Sequence, residues 1–153
     1  MSAGGHLSLM LGTASDEGKT DDEDPVLRVS DRVQAVVAYV APTDLTIMVH
    51  DAPDHLPAYE KFPALSLDLE GAKIHSPLLQ VTSDDAPTLL LAGAKDDLVP
   101  VEHSRRIKDA LEKEQVAVKL VEFPEAGHGF KPDEMKAASD EMVKWFESQL
   151  AAK

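Results

Sequence analysis

Three kinds of polar side chain occur where they could carry out nucleophilic chemistry together. Ser2 begins the stretch Ser-Ala-Gly-Gly, Asp96 and Asp97 follow an apolar run, and His128 lies between two glycines. A carboxylate beside a histidine holds the imidazole in one tautomer and stabilises its charged form, and the histidine can then activate a hydroxyl nucleophile. Because the chain contains no cysteine, serine is the natural nucleophile, and disulfides and thiolate metal sites are excluded.

Strands that alternate with helices are expected to position these residues. Because strand–helix alternation implies a parallel sheet with right-handed crossovers, chemistry should gather at the carboxyl ends of the strands. Asp96 or Asp97 should therefore approach His128. The apolar runs predict strands over 33–40, 86–94 and 116–123, and the periodicity and prolines predict helices over 4–11, from Pro100 and from near Pro132.

The 153 residues fit one domain of ordinary size, so we treat 1–153 as a single unit. Residues 43–80 show no sustained period and contain several prolines. We interpret them as short helices and loops that form a cap over a site. In the last helix an apolar stripe, with Trp145 near its edge, is predicted to belong to the core. The stripe comprises Met135, Ala138, Met142, Phe146 and Leu150.

The residues around Ser2 suit a sharp turn from a strand into a helix, the G-x-S-x-G nucleophile elbow. Met1-Ser2-Ala3-Gly4 supplies x-S-x-G, and a helix is predicted directly after it. Each site residue also has a simpler interpretation. Ser2 could be a disordered terminus, His128 a turn residue, and Asp96 an acid that favours the start of the next helix.

The motifs together resemble the C-terminal half of an α/β-hydrolase. The matching stretches are SAGGHLSLMLGT, VQAVVAYVAPTDL, PTLLLAGAKDDLVPVEHS and EAGHGF. The resemblance is to bacterial esterase/lipase and feruloyl-esterase-like families, near the catalytic domain of prolyl oligopeptidases. It implies a partial α/β-hydrolase fold of about three parallel strands with flanking helices, in which the N-terminal strands are missing.

The resemblance also implies roles for individual residues. Ser2, Asp96 and His128 match the nucleophile, acid and base in chain order, and the G-x-x-D-x-x-V-P pattern selects Asp96 over Asp97. The backbone N–H of Ala3 matches one oxyanion donor. The H-G-G-G type loop that supplies the other donor in such families does not occur in the sequence, so we expect the isolated chain to be a slow enzyme.

The charge of the chain narrows the range of partners. A formal net charge of −13, with 28 acidic and 15 basic residues, opposes binding to nucleic acid and anionic membranes. No apolar run is long enough for a membrane span and no signal peptide is recognised, so the chain as written is expected to be cytoplasmic, although a parent protein with an upstream signal could be secreted. Asp21, Asp22, Glu23 and Asp24 lack the spacing of a calcium loop, and no metal or organic cofactor is predicted.

The sequence therefore predicts a serine hydrolase of small-molecule carboxylic esters. Two alternatives stay open: a non-catalytic hydrolase remnant or association module, and a serine peptidase of the prolyl oligopeptidase type. We also expect self-association through the strand at 33–40, because the resemblance places a neighbouring strand before Ser2 that this sequence does not contain, which would leave an apolar edge unpaired.

Overall fold

The computed structural model describes residues 1–48 and 68–151. Within these ranges three parallel strands form one sheet in the order β1-β2-β3. Val36 of β1 lies opposite Thr88 of β2, which lies opposite Val118 of β3. The strands are β1 (Val36–Tyr39), β2 (Thr88–Gly93) and β3 (Val118–Phe123). The predicted α/β class, with about three parallel strands, is confirmed.

Helices precede and follow these strands in the predicted order. The α-helices in the described ranges are α1 (Ala3–Thr13), α2 (Leu69–Ile74), α3 (Pro77–Gln80), α4 (Glu102–Lys113) and α5 (Pro132–Leu150). In the same ranges, short 3₁₀ helices span Pro25–Arg28 and Thr46–Met48. Short helical pieces were predicted within 43–80, and those in the described part are present. The central part of that segment, residues 49–67, lies outside the described residues, and its interpretation as a cap stays a prediction.

The two faces of the sheet pack against different helices. Side chains alternate along a strand, so Leu90 faces α1 and α4 while Leu89 and Leu91 face α5. The α1/α4 face contains the larger group of buried side chains. They are Leu9, Val36, Ala38, Ala41, Ala86, Leu90, Ile107, Leu111 and Val116.

The amphipathic pattern of α4 explains how this helix is fixed on the sheet. Ile107 and Leu111 are four residues apart, lie on the same side and are completely buried. Burying each such side chain contributes about 1.5–3 kcal/mol to stability. On the exposed side, the Arg105 guanidinium makes two hydrogen bonds of 2.8 and 2.7 Å to the Glu122 carboxylate of β3. The start of α4, directly after the Asp96 loop, is thereby anchored to its neighbouring strand.

The prediction that the apolar stripe of α5 belongs to the core is partly wrong. Only Ala138 of this stripe is fully buried, and Leu150 is 52% exposed. The physical reason is that α5 contacts the sheet along one side, and nothing else in residues 1–48 and 68–151 forms a layer over it. Trp145 packs against the Leu89 and Leu91 cluster as a half-buried residue. A smaller correction concerns α4, which begins at Glu102 and not at Pro100.

Candidate active site

Ser2 lies at a strained turn directly before α1. Its backbone angles are φ 52° and ψ −125°, a left-handed φ that non-glycine residues adopt at an energetic cost. The Ser2 N–H donates a hydrogen bond of 2.8 Å to the Tyr39 carbonyl at the end of β1. A Cβ atom on Gly5 would lie 3.0 Å from that carbonyl oxygen. A glycine at position 5 therefore lets α1 start close to the end of the strand.

Asp96 occupies the loop after β2, and its side chain is completely shielded from solvent. One carboxylate oxygen, Oδ1, accepts hydrogen bonds from the backbone N–H groups of Leu98 (2.9 Å) and Val99 (2.8 Å). The other oxygen, Oδ2, lies 2.9 Å from His128 Nδ1. Asp97 is exposed. The carboxylate of Asp96 therefore binds loop amides before α4 and the imidazole at the same time.

His128 lies in the loop after β3 and joins the other two side chains. Its Nε2 atom is 2.9 Å from Ser2 Oγ, and its side chain is about one-quarter exposed. This geometry fits a tautomer in which Nδ1–H donates to Asp96 and Nε2 accepts the serine hydroxyl. Serine, histidine and carboxylate thus form one hydrogen-bonded chain from solvent into the interior.

The Asp96 and His128 loops approach each other because of a glycine at the end of β2. A Cβ atom on Gly93 would lie 2.6 Å from the Ala126 carbonyl oxygen and would overlap that of Gly127. The loops are also joined by a 2.9 Å hydrogen bond from the Lys95 N–H to the same Ala126 carbonyl. Any side chain at position 93 would push the histidine loop away from the carboxylate.

The backbone N–H of Ala3 lies at the first position of α1. An N–H group in the first turn has no carbonyl four residues earlier in its own helix to bind. Together with the positive end of the helix dipole, such a group can stabilise negative charge. Ala3 follows Ser2 directly, so charge that develops on a carbonyl oxygen attacked by Ser2 would form beside this N–H.

A histidine that the sequence reasoning missed lies beneath this site. His103 in the first turn of α4 is completely buried, and its Nδ1 accepts the backbone N–H of Thr43 at 3.1 Å. Burial lowers the pKa of His103 to about 4. A signal for its position was available, because His103, Ile107 and Leu111 are spaced four residues apart and share one side of α4.

The other histidines of the described chain take different positions. His6 in α1 has its Nδ1 atom 3.0 Å from the Pro42 carbonyl oxygen, and His75 is exposed at the end of α2. Within residues 1–48 and 68–151, no group of three or more His, Asp or Glu side chains is arranged to hold a metal ion. In the same ranges no helix is long and apolar enough to cross a membrane.

The fold and the order of the site residues define the class of protein. A parallel sheet flanked by helices, with Ser, Asp and His following one another along the chain, is the arrangement of α/β-hydrolases. The chain belongs to the BD-FAE family, whose model matches residues 1–111. The resemblance inferred from the motifs is thereby confirmed.

Individual relatives agree with this assignment. The chain is 30% identical over 136 residues to the "Probable carboxylic ester hydrolase LipM" of Mycobacterium tuberculosis, a match that covers 84% of this chain and 31% of LipM. It is 31% identical over 87 residues to the "Uncharacterized peptidase YuxL" of Bacillus subtilis, which covers 54% of this chain and 13% of YuxL.

A solved structure extends the similarity over almost the whole chain. The acetyl ester-xyloside bifunctional hydrolase from Caldicellulosiruptor lactoaceticus superposes with a TM-score of 0.78 at 32% identity. The match covers 97% of this chain and 54% of that structure. The chain therefore spans about half of this solved relative, and less than a third of the two relatives named above.

Proposed function

We propose that this chain hydrolyses carboxylic esters with Ser2 as nucleophile, His128 as general base and acid, and Asp96 as the group that orients His128. Ser2 Oγ attacks the ester carbonyl while His128 Nε2 takes its proton. His128 then returns a proton to the leaving alcohol, and an acyl-serine remains. Water activated by His128 releases the acid and restores the serine.

The observation that carries this proposal is the continuous hydrogen-bonded chain of three side chains. Both of its links are 2.9 Å long, and the carboxylate at its inner end is fully buried. A buried carboxylate beside Nδ1 favours the tautomer that leaves Nε2 free to accept the serine proton. The ester hydrolases among the relatives support the choice of ester as the substrate class.

The tetrahedral oxyanion would be stabilised by the Ala3 N–H. The family resemblance implies a second N–H donor to the oxyanion, from a loop of the H-G-G-G type. This motif does not occur in the sequence. Loss of one such donor costs about 10²–10³ in rate. We therefore expect measurable but slow ester turnover when these 153 residues are tested in isolation.

The test is covalent labelling of the purified chain with a fluorophosphonate, followed by mapping of the labelled residue. We expect labelling at Ser2, its loss in Ser2→Ala, and its retention in Ser8→Ala, a matched control on the same helix. Labelling at another serine would overturn the assignment. An intact fold without any labelling would favour the non-catalytic alternative.

A peptidase is the second candidate, because one relative of 31% identity is named as a peptidase and the same triad can cleave both bonds. Comparing a short aryl ester with a proline-containing peptide separates the two. Hydrolysis of the ester alone would support the esterase. Hydrolysis of the peptide that disappears in Ser2→Ala would support the peptidase.

A further inference from the structure

His103 connects the interior of the protein to the turn that follows β1. Its Nδ1 atom accepts backbone N–H groups from Thr43 at 3.1 Å and Asp44 at 3.3 Å. In the opposite direction, the Thr43 hydroxyl donates to the His103 carbonyl at 2.8 Å. Thr43, Asp44 and His103 are all buried. One residue of α4 therefore holds this turn with both its side chain and its backbone.

The Thr43–Asp44 turn follows closely after the end of β1, where Tyr39 is hydrogen-bonded to Ser2. The Tyr39 carbonyl accepts the Ser2 N–H, and the next residue, Val40, has a φ of 42°. For a β-branched residue this conformation is strained, so it persists only when surrounding contacts enforce it. Thr43 and Asp44, whose N–H groups bind His103, lie three and four residues after Val40. Their hydrogen bonds restrain the backbone on the C-terminal side of this strained valine.

The hydrogen bonds require a particular charge state of the imidazole. Because two backbone donors point at Nδ1, that nitrogen must present its lone pair, and the ring must be neutral. Among residues 1–48 and 68–151, the charged and titratable groups that act on the ring are Asp44, Arg106, Asp96 and His6, and the effect of burial is larger than that of any of them. The Asp44 carboxylate forms an ion pair of 2.8 Å with Arg106 and accepts a hydrogen bond of 3.0 Å from the Thr46 N–H.

We propose that His103 is a positioning residue of this site, whose neutral imidazole holds the Thr43–Asp44 turn and thereby keeps the Tyr39 carbonyl in place for Ser2. The inference rests on the proposed function in that its consequence is correct placement of the Ser2 nucleophile. Its structural part, the restraint of the turn by Nδ1, can be measured separately.

Two variants distinguish the effect of losing the hydrogen-bond acceptor from the effect of changing the volume of the side chain. His103→Asn places an amide oxygen near the position of Nδ1, whereas His103→Leu retains bulk but has no acceptor. We expect the leucine variant to label with fluorophosphonate about 10- to 100-fold more slowly, the size of effect typical of a misplaced catalytic group. The asparagine variant should recover most of this loss, and the exposed His75→Leu should label like wild type.

Amide hydrogen exchange provides the readout that does not depend on catalysis. Exchange at Thr43 and Asp44 should accelerate in His103→Leu and stay slow in His103→Asn, with both variants folded by circular dichroism. Equal exchange in all three proteins, or equal damage by both substitutions, would overturn the inference. If wild type fails to label at Ser2, the proposed function fails, and the exchange comparison still decides whether His103 holds the turn.

Discussion

Asp96 and His128 come from loops that two adjacent strands hold together, whereas Ser2 comes from a helix start that is tied to the end of β1. The first pair is fixed by the Lys95–Ala126 hydrogen bond and by the close approach at Gly93. Ser2 depends on a hydrogen bond to Tyr39, beside a strained valine. The Asp96–His128 pair is therefore held in place by the sheet itself, whereas Ser2 is held through a longer chain of contacts.

The largest effect should come from removing the charge of the Asp96 carboxylate. Asp96→Asn keeps the shape but removes the charge that selects the histidine tautomer, and we expect ester turnover to fall about 10⁴-fold. Asp97→Asn, at the exposed neighbouring position, is the matched control and should retain turnover. Steady-state hydrolysis of an aryl ester measures both. Similar losses in the two variants would contradict the assignment of Asp96.

On the Ser2 side of the site, the burial of His103 makes the stability of the protein depend on pH. Its pKa falls from an ordinary value of 6.5 to about 4 in the folded state because burial disfavours the charged ring. Between these values the unfolded chain binds more protons, so the free energy of unfolding rises with pH. Stability attributable to His103, about 3 kcal/mol from the size of this shift, should disappear as the pH falls from 6.5 to 4.

Urea unfolding between pH 4 and pH 7.5 tests this expectation. The stability of His103→Asn should change less steeply with pH than that of wild type, because the variant has no group that titrates at this position. His75→Asn, at an exposed histidine, should follow the wild-type profile. Parallel profiles for wild type and His103→Asn would show that position 103 does not cause the pH dependence.

A somewhat smaller catalytic effect is expected from Gly93→Ala. The added methyl group would overlap the Ala126 and Gly127 carbonyls and displace His128, which should lower turnover about 100-fold. Gly129→Ala is the matched control, because a Cβ atom there would meet nothing within 4 Å. Circular dichroism and turnover would be measured for both. Equal turnover in the two variants would show that the loops tolerate a side chain at position 93.

The smallest expected effect concerns association and not catalysis. Strand β1 is an edge strand of the described sheet, and we predict that the chain self-associates through residues 33–40. Raising the salt concentration should increase association because it screens the net charge of −13. Val37→Lys should reduce association, whereas Val26→Lys, at an exposed position outside the strand, should not. Sedimentation at low and high salt measures this, and a monomer under all conditions would contradict the prediction.

Local pattern was sufficient to predict the architecture and the edge of the sheet at which Asp96 and His128 meet. Apolar runs of strand length, separated by helical segments, indicated a parallel sheet because buried strands and amphipathic helices differ in their period. Parallel strands share their carboxyl edge, so the polar residues after β2 and β3 were expected to meet. Family motifs were needed to choose Asp96 over Asp97, because two adjacent aspartates carry the same chemistry in sequence.

The support around the site could not be predicted in this way. The hydrogen bond between Thr43 and His103 joins residues that are 60 positions apart. The periodicity within a single helix or strand cannot predict such a pair. Likewise, the stripe on α5 indicated an apolar face but not how deeply it would be buried, since burial depends on what packs over the helix. The residue types and spacing specified which groups could react. Long-range packing settled how firmly each group is held, because burial and hydrogen bonding depend on neighbours that are distant in sequence.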